Sequence, residues 1–284
     1  MNRKFLWLAF TVSVWADGID YNVAITVNYG DSYDFYSYTE NRLDLNLFYN
    51  NIQAWVQYEY SNPPEIGFSI NDIRKFRIEY MPLDFTIKLG DIYEFWGRGL
   101  VLNQFDDQVT NFDNGTRGLF LGYSKGPLTI SHINGNTDIW ELGNDLRVPR
   151  YRHIHNMYAN QVLYELSTFS LGLTNLHSNE THQKLFGESF VQHKLNGIYA
   201  SWTGINADLF MEYVDKKATE KVNIVENVPH DSLKNGYGLY CNLNFYLGNW
   251  GLSTEYKRYS FDKGHSDFPV NDYGNQIAFQ TMPT

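Results

Sequence analysis

Short turns at Tyr49-Asn50-Asn51, residues 81–84, Lys125-Gly126-Pro127, Ser167-Thr168, Thr203-Gly204 and Gly248-Asn249 each join two runs of roughly ten residues that alternate apolar and polar. Longer polar stretches, at residues 30–40, 61–73, 93–115, 135–154, 178–194, 215–235 and 262–272, separate one such pair from the next. A period of two puts every second side chain on the same face of a strand. Short and long connections in strict alternation predict an antiparallel sheet whose neighbouring strands are consecutive in sequence.

The faces can be read strand by strand. Leu43, Leu45, Leu47 and Tyr49 oppose Arg42, Asp44, Asn46 and Phe48, and Ile52, Ala54, Val56, Tyr58 and Tyr60 oppose Gln53, Trp55, Gln57 and Glu59. Phe76, Ile78 and Tyr80 oppose Lys75, Arg77 and Glu79, while Phe85, Ile87 and Leu89 oppose Thr86 and Lys88. The same holds for residues 205–213 and 239–247, where the free thiol of Cys241 sits in the apolar row. A single cysteine allows no disulfide within the chain.

A soluble β-sandwich also alternates, but three features oppose it. The runs are nearly twice the usual strand length of about five or six residues. Aromatic residues, 17% of the chain, gather at the strand ends. Tyr49, Tyr80, Phe85, Phe169, Trp202 and Trp250 flank the short turns, and Tyr58, Tyr60, Tyr213 and Tyr256 lie at the far ends. Two such bands fit the two interfaces of a membrane. Strict alternation of loop length, finally, has no reason in a Greek key. The fold class expected is all-β: a transmembrane antiparallel up-and-down β-barrel of roughly fourteen strands, the last at residues 273–280. No run of about 18 apolar residues follows the N-terminus, which rules out a helical span there. In such barrels the short turns face the periplasm and the long loops face outward, so the location expected is the bacterial outer membrane.

Residues 1–16 read as a signal peptide: Asn2-Arg3-Lys4 is basic, residues 5–15 are apolar and Val14-Trp15-Ala16 offers a cleavage site. The barrel is expected over residues 17–284. Outer-membrane chains commonly finish on an outward-facing strand with a terminal aromatic, whereas this one stops at Met282-Pro283-Thr284. Two readings stay open: a C-terminally truncated part of a larger barrel, or a complete chain with an unusual end.

The most distinctive stretch runs Gly90-Asp91-Ile92-Tyr93-Glu94-Phe95-Trp96-Gly97-Arg98-Gly99-Leu100 and continues through Asp113-Asn114-Gly115-Thr116-Arg117-Gly118. This pattern resembles an uncharacterised, porin-like family of outer-membrane β-barrels of Gram-negative bacteria, a domain of unknown function. The likeness is strongest over residues 19–139. It implies a surface barrel, often read as porin-like, with no established substrate, so no site residue can be carried over. The family continues into further strands where this chain ends.

Three groups of residues are candidates for function. Arg42, Asp44, Trp55, Glu59, Lys75, Arg77, Glu79 and Lys88 would line a pore. A hairpin centred at Pro82-Leu83 sets Arg77 opposite Lys88 and Glu79 opposite Thr86, a like-charge pairing that calls for nearby carboxylates, water or an anionic ligand. Opposed acidic and basic groups would orient dipolar solutes such as sugars; a salt-bridged interior that selects nothing is the plainer alternative. Tyr93, Phe95 and Trp96 are too apolar to stand in water, so their loop is expected either to fold into the lumen as a constriction carrying an exposed Arg98, or to pack on the rim. Arg147, Arg150 and Arg152, with His153 and His155, crowd one outer loop and would meet phosphate or carboxylate groups of lipopolysaccharide or a glycan. His153-x-His155 has no ligand partner implied by spacing, and Asp106, Asp107 and Asp113 lack the order of a calcium loop, so no metal is assigned.

No Gly-x-Ser-x-Gly or metal-protease motif is present, and no enzyme activity and no cofactor are expected. A net charge of −10 argues against nucleic acid as a partner. The function expected is a porin-like channel for diffusion of small polar solutes, carbohydrates among them, with outer-membrane lipid and lipopolysaccharide as surroundings. The alternative is a non-transporting barrel: a surface scaffold, an adhesin or a component of an envelope or secretion complex. Oligomeric state and gating are not legible.

Overall fold

The computed structural model describes residues 6–16, 18–32, 36–65, 67–107, 112–142, 149–184, 187–222 and 231–261. In chain order the strands are β1 (Leu6–Ala16), β2 (Ile19–Ser32), β3 (Tyr36–Tyr49), β4 (Ile52–Ser61), β5 (Ile70–Tyr80), β6 (Phe85–Ile92), β7 (Asp106–Asp107), β8 (Phe112–Asp113), β9 (Thr116–Lys125), β10 (Leu128–Leu142), β11 (Pro149–Glu165), β12 (Phe169–Lys184), β13 (Gly187–Thr203), β14 (Ala207–Val222), β15 (Asp231–Leu247) and β16 (Trp250–Phe261). All but β7 and β8 form one 14-stranded antiparallel sheet in sequence order, with β9 following β6. The two short strands pair with each other inside the β6–β9 connection.

Each expected short turn joins two paired strands. The stretches read as long loops at residues 135–154, 178–194 and 215–235, by contrast, are largely strand, since β10 to β15 continue well beyond the apolar alternation. Their polar side chains report contact with water, while the backbone ladder continues beyond the lipid. The segment read as a signal peptide is drawn as β1, paired with β2 from Leu6↔Tyr29 to Ala16↔Ile19. The strand expected at residues 273–280 lies outside the described residues.

Alternation sorts the side chains as a lipid-facing surface requires. Ile25, Leu43, Ile78, Leu89, Leu121, Ile130, Val162, Leu173, Ile198, Met211 and Leu243 are all exposed. Exposed too are the aromatics expected at both strand ends, Tyr49, Tyr80, Phe85, Phe169, Trp202 and Trp250 on one side and Tyr58, Tyr60, Tyr213 and Tyr256 on the other. The run from Ile52 to Tyr60 measures about 27 Å along the strand, close to the roughly 30 Å that a tilted strand needs to cross an apolar band about 25 Å tall. An aliphatic surface this large and continuous is untenable in water and suited to hydrocarbon.

The opposite face turns inward around its own contents. From Ile92 to Arg98 the chain spans at most roughly 20 Å, whereas β14 lies six strands from β6 in the sheet order, about 29 Å if the sheet were flat. The Arg98 amide nevertheless reaches Glu212 of β14 at 2.6 Å. The sheet therefore curls around the β6–β9 connection, and the fold is a transmembrane antiparallel up-and-down β-barrel, the architecture of outer-membrane proteins. Inside, Ile133, Met157, Leu176, Leu195 and Val214 of β10–β14 pack with Trp96, Leu100, Val101 and Leu102 of the connection in one buried apolar cluster.

Leu173 is half-exposed near mid-height on the outward face of β12. Leu173→Arg is expected to destabilise the barrel by about 2–4 kcal/mol in lipid vesicles, against a much smaller effect of Leu173→Ala. Guanidinium unfolding monitored by tryptophan fluorescence measures both; equal costs would mean that this face does not meet lipid.

Candidate functional site

The distinctive Gly90–Gly118 stretch encodes one device, a loop folded into the barrel and tied down at both ends. At its start, Asp91 accepts from the Phe76 amide (2.8 Å) and pairs with Arg117 of β9 through Nε (2.9 Å) and Nη2 (3.1 Å). Glu94 accepts from Lys88 Nζ of β6 at 2.9 Å. The loop then turns across the lumen. Gly97 has φ +62°, and a Cβ there would lie 2.8 Å from Glu212 Oε2, so glycine serves both the left-handed backbone and the close approach. Glu212, itself buried, accepts from the backbone amides of Arg98 and Leu100.

The return leg is held by side-chain amides. Asn114 Nδ2 donates to Asn103 O (2.7 Å), and its Oδ1 accepts from the Phe105 amide (2.6 Å). Gln104 Nε2 donates to Thr116 Oγ1 and to Asn114 O. Tyr93 Oη donates to the Asp113 carboxylate at 3.1 Å, and a Cβ on Gly115 would lie 2.5 Å from the Tyr93 ring. Burial, then the carboxylates of Asp113, Asp106 and Asp91, hold the Tyr93 phenol well above its ordinary range, so it remains a donor.

Of the expected constriction residues, Trp96 is buried in the apolar cluster, Tyr93 is half-buried at the loop base and Phe95 is exposed. Arg98 is half-buried rather than exposed as expected. Its guanidinium lies 5.4 Å from the Phe210 ring centroid and 5.7 Å from that of Tyr240, on β14 and β15. Cation–π contact explains the change, because both rings face inward beneath it.

The candidate pore-lining residues form a wall on β3–β6. Arg42, opposite Glu59, and Asp44, opposite Gln57, stand as the register about Asn50-Asn51 requires. Asp44 accepts from Trp55 Nε1 (3.1 Å) and Gln57 Nε2 (2.9 Å). The next hairpin corrects the expected register. Its pairs are Arg77↔Gly90 and Glu79↔Lys88, so Arg77 and Lys88 do not oppose each other. Pro82 has no N–H to give a ladder, and its carbonyl closes the turn to the Phe85 amide at 3.0 Å with Leu83 at φ 50°. The centre moves one residue onward, and every partner moves by two.

Arg77 instead pairs with Glu79 at 2.5 Å and lies over the Trp55 ring at 5.5 Å. A bulge opposite Gln57/Tyr58 gives β5 one extra residue, so Arg74 is drawn from the outward face and joins Lys75, which alternation already turns inward. Arg74 bonds Glu59, and buried Lys75 lies 2.7 Å from Asp106 and 2.8 Å from Asp113. Lys75 thus occupies the place between these aspartates where a cation would be sought.

The third group separates. Arg147 lies outside the described residues, and Arg150 falls on β11. Arg152 points outward, bonds Asp138 of β10 through Nε (2.8 Å) and Nη2, and lies over Trp140. His153 and His155 are instead buried. One strand face cannot hold consecutive residues, so the expected common cluster does not form. What the sequence alone missed is a partner set for the two histidines: Glu180 on β12 and His193 on β13, both buried and inward.

Removing the Glu212 carboxylate should release the loop, since it withdraws charge-assisted bonds of about 1.5–3 kcal/mol each. On a Cys241→Ser background, Leu100→Cys is expected to react with a small maleimide at least ten-fold faster when Glu212→Ala is added. Unchanged labelling would mean that Glu212 does not secure the loop.

No curated protein matches the chain. Among solved structures, it is similar to a loop L8 deletion mutant of OmpT, an outer membrane protein of Vibrio cholerae, at 11% identity, TM-score 0.49, covering 84% of this chain and 85% of that one. It is similar also to outer-membrane expressed OmpT of Vibrio cholerae at 9% identity, TM-score 0.49, covering 88% and 90%. An anion-selective porin from Comamonas acidovorans is similar at 9% identity, TM-score 0.37, covering 80% and 79%. Residues 31–277 match a family described as a family of unknown function (DUF6029), and the chain belongs to that family.

Proposed function

We propose that this barrel is a porin-like channel through which small polar solutes, carbohydrates among them, diffuse across the outer membrane. The observation that carries the reading is the asymmetry of the interior. The β3–β6 wall presents Arg42, Asp44, Trp55, Arg77, Glu79 and Lys88, with acidic and basic groups interleaved at short range. The β10–β14 wall carries a buried apolar layer, which the loop of Trp96 to Leu102 covers. Solute passing between them would meet charge of both signs on one side and a tethered loop on the other. Such a passage orients dipolar molecules without favouring a strong ionic charge. Trp55, braced by Asp44 and Arg77, adds an aromatic surface of the kind on which sugar rings stack.

A second reading draws on the same apolar cluster. A lumen filled on that side suits a surface scaffold, an adhesin or a component of an envelope complex. The outward face would meet lipid and lipopolysaccharide in either case, and we assign the chain no catalysis. We propose further that residues 1–16 act as a signal peptide, on the strength of their basic start, apolar stretch and small-residue end.

Single-channel recording in a planar bilayer tests the proposal. The protein is expected to give stable conductance steps, which grow when residues 93–113 are removed and change ion selectivity when Arg77 and Lys88 are replaced by glutamate. A barrel that inserts and stays silent, with and without the loop, would overturn transport in favour of the scaffold. N-terminal sequencing of the exported protein should begin near Asp17; a chain retaining residues 6–16 would show that β1 belongs to the mature barrel.

A further inference from the structure

We propose that the barrel carries a binding site for a divalent transition-metal ion, built by His153 and His155 of β11 and Glu180 of β12 and supported by His193 of β13. Strand alternation and register bring these residues together. His155 lies directly across from Glu180, and Ser178 lies directly across from His193. His153, one inward step along β11, faces Glu180 on the diagonal. All four are buried on the inward face, on the long-connection side of the apolar layer formed by Met157, Leu176 and Leu195.

One ligand atom from each of His153, His155 and Glu180 falls within 4.8 Å of the others. Around zinc, nitrogen and oxygen ligands stand about 2.0–2.2 Å from the ion, which places tetrahedral neighbours roughly 3.4 Å apart. Small side-chain rotations bring the three to that spacing. His153 Nδ1 and Glu180 Oε1 already face each other at 2.7 Å. Two lone-pair atoms at that distance need either a proton or a cation between them, and a modest opening admits the ion.

The surrounding bonds have the character of a ligand-orienting shell. His193 Nε2 lies 2.6 Å from Glu180 Oε2, holding the second carboxylate oxygen and leaving the first directed at the imidazoles. Ser178 Oγ lies 3.1 Å from His155 Nδ1, fixing the ring and leaving Nε2 as the ligand. Imidazole with one carboxylate suits zinc, copper, nickel or iron(II) rather than calcium or magnesium. Buried Lys216 of β14 lies opposite Leu195, one step nearer the apolar layer than His193.

Untagged full-length barrel, folded in detergent and stripped with chelator, is titrated with zinc chloride by calorimetry, and far-ultraviolet circular dichroism confirms the fold. The expected result is saturable binding of one zinc per chain. His155→Ala and Glu180→Gln should weaken it at least ten-fold, and His193→Gln by roughly ten- to hundred-fold through the lost orienting contact. His132→Ala, on β10, should leave it unchanged. Copper(II) added to the wild-type protein should show nitrogen hyperfine structure from two imidazoles in its paramagnetic resonance spectrum, a readout that needs no variant to fold. Absence of saturable zinc binding, equal affinity in folded His155→Ala and Glu180→Gln, or an oxygen-only copper spectrum would each overturn the site.

Discussion

Hydrocarbon offers no hydrogen bonds, so a chain that crosses it must satisfy every backbone amide and carbonyl within itself. That constraint fixes the rest of this protein. It demands a ladder between each strand and the next, met here by sequence-order pairing across the sheet. It then divides side chains by parity. Leu43, Ile78, Leu121, Leu173 and Ile198 go to lipid, and what cannot go there turns inward. The interior is therefore assembled from whatever lipid excludes, and its chemistry depends on how those groups satisfy one another.

They do so differently on the two sides. On β3–β6 the inward groups are charged, and nearly every contact is an ion pair or charge-assisted bond: Arg74 with Glu59, Arg77 with Glu79, Lys88 with Glu94. Lys75 is 1% exposed and stands between Asp106 and Asp113, which fastens the β7–β8 hairpin to the wall. Losing one partner of a buried pair typically costs about 3–5 kcal/mol, because the other charge is left unpaired. On β10–β14 the inward groups include an apolar layer of Ile133, Met157, Leu176, Leu195 and Val214, with His153, His155, Glu180 and His193 on its long-connection side, and a dry layer needs a dry cover. Leu100, Val101 and Leu102 supply it. The loop crosses the lumen because its apolar centre has a matching surface only on the far side.

Much of this was legible in the sequence. Turn positions, strand faces, both aromatic bands and the polar wall follow from parity alone, which local sequence records directly. Three things were not. The register beyond Pro82 depends on which residues close the turn, and a slip of one residue in its centre moved Lys88 from Arg77 to Glu79. β10–β15 run longer than their apolar alternation, because polar composition marks the end of lipid, not the end of the ladder. The convergence of His153, His155, Glu180 and His193 spans three strands, and no spacing along one strand can reveal it. Cross-strand register was the missing quantity in the first and the last of these.

The Gly90–Gly118 signature shows what such a motif encodes. Asp91, Tyr93, Glu94, Gly97, Asn114 and Gly115 are each used to start, bend or fasten the loop. The motif thus specifies the placement of a partition in the lumen. The partition faces the interleaved charges of β3–β6, where Arg77 pairs with Glu79 within the wall and Lys88 with Glu94 at the start of the loop. A change at Arg77 or Trp55 then alters the charged wall without loosening the partition, and a change at Glu212 moves the partition without altering those charges. Separate fastening of the two walls lets the charged side vary while the fold is maintained on the other.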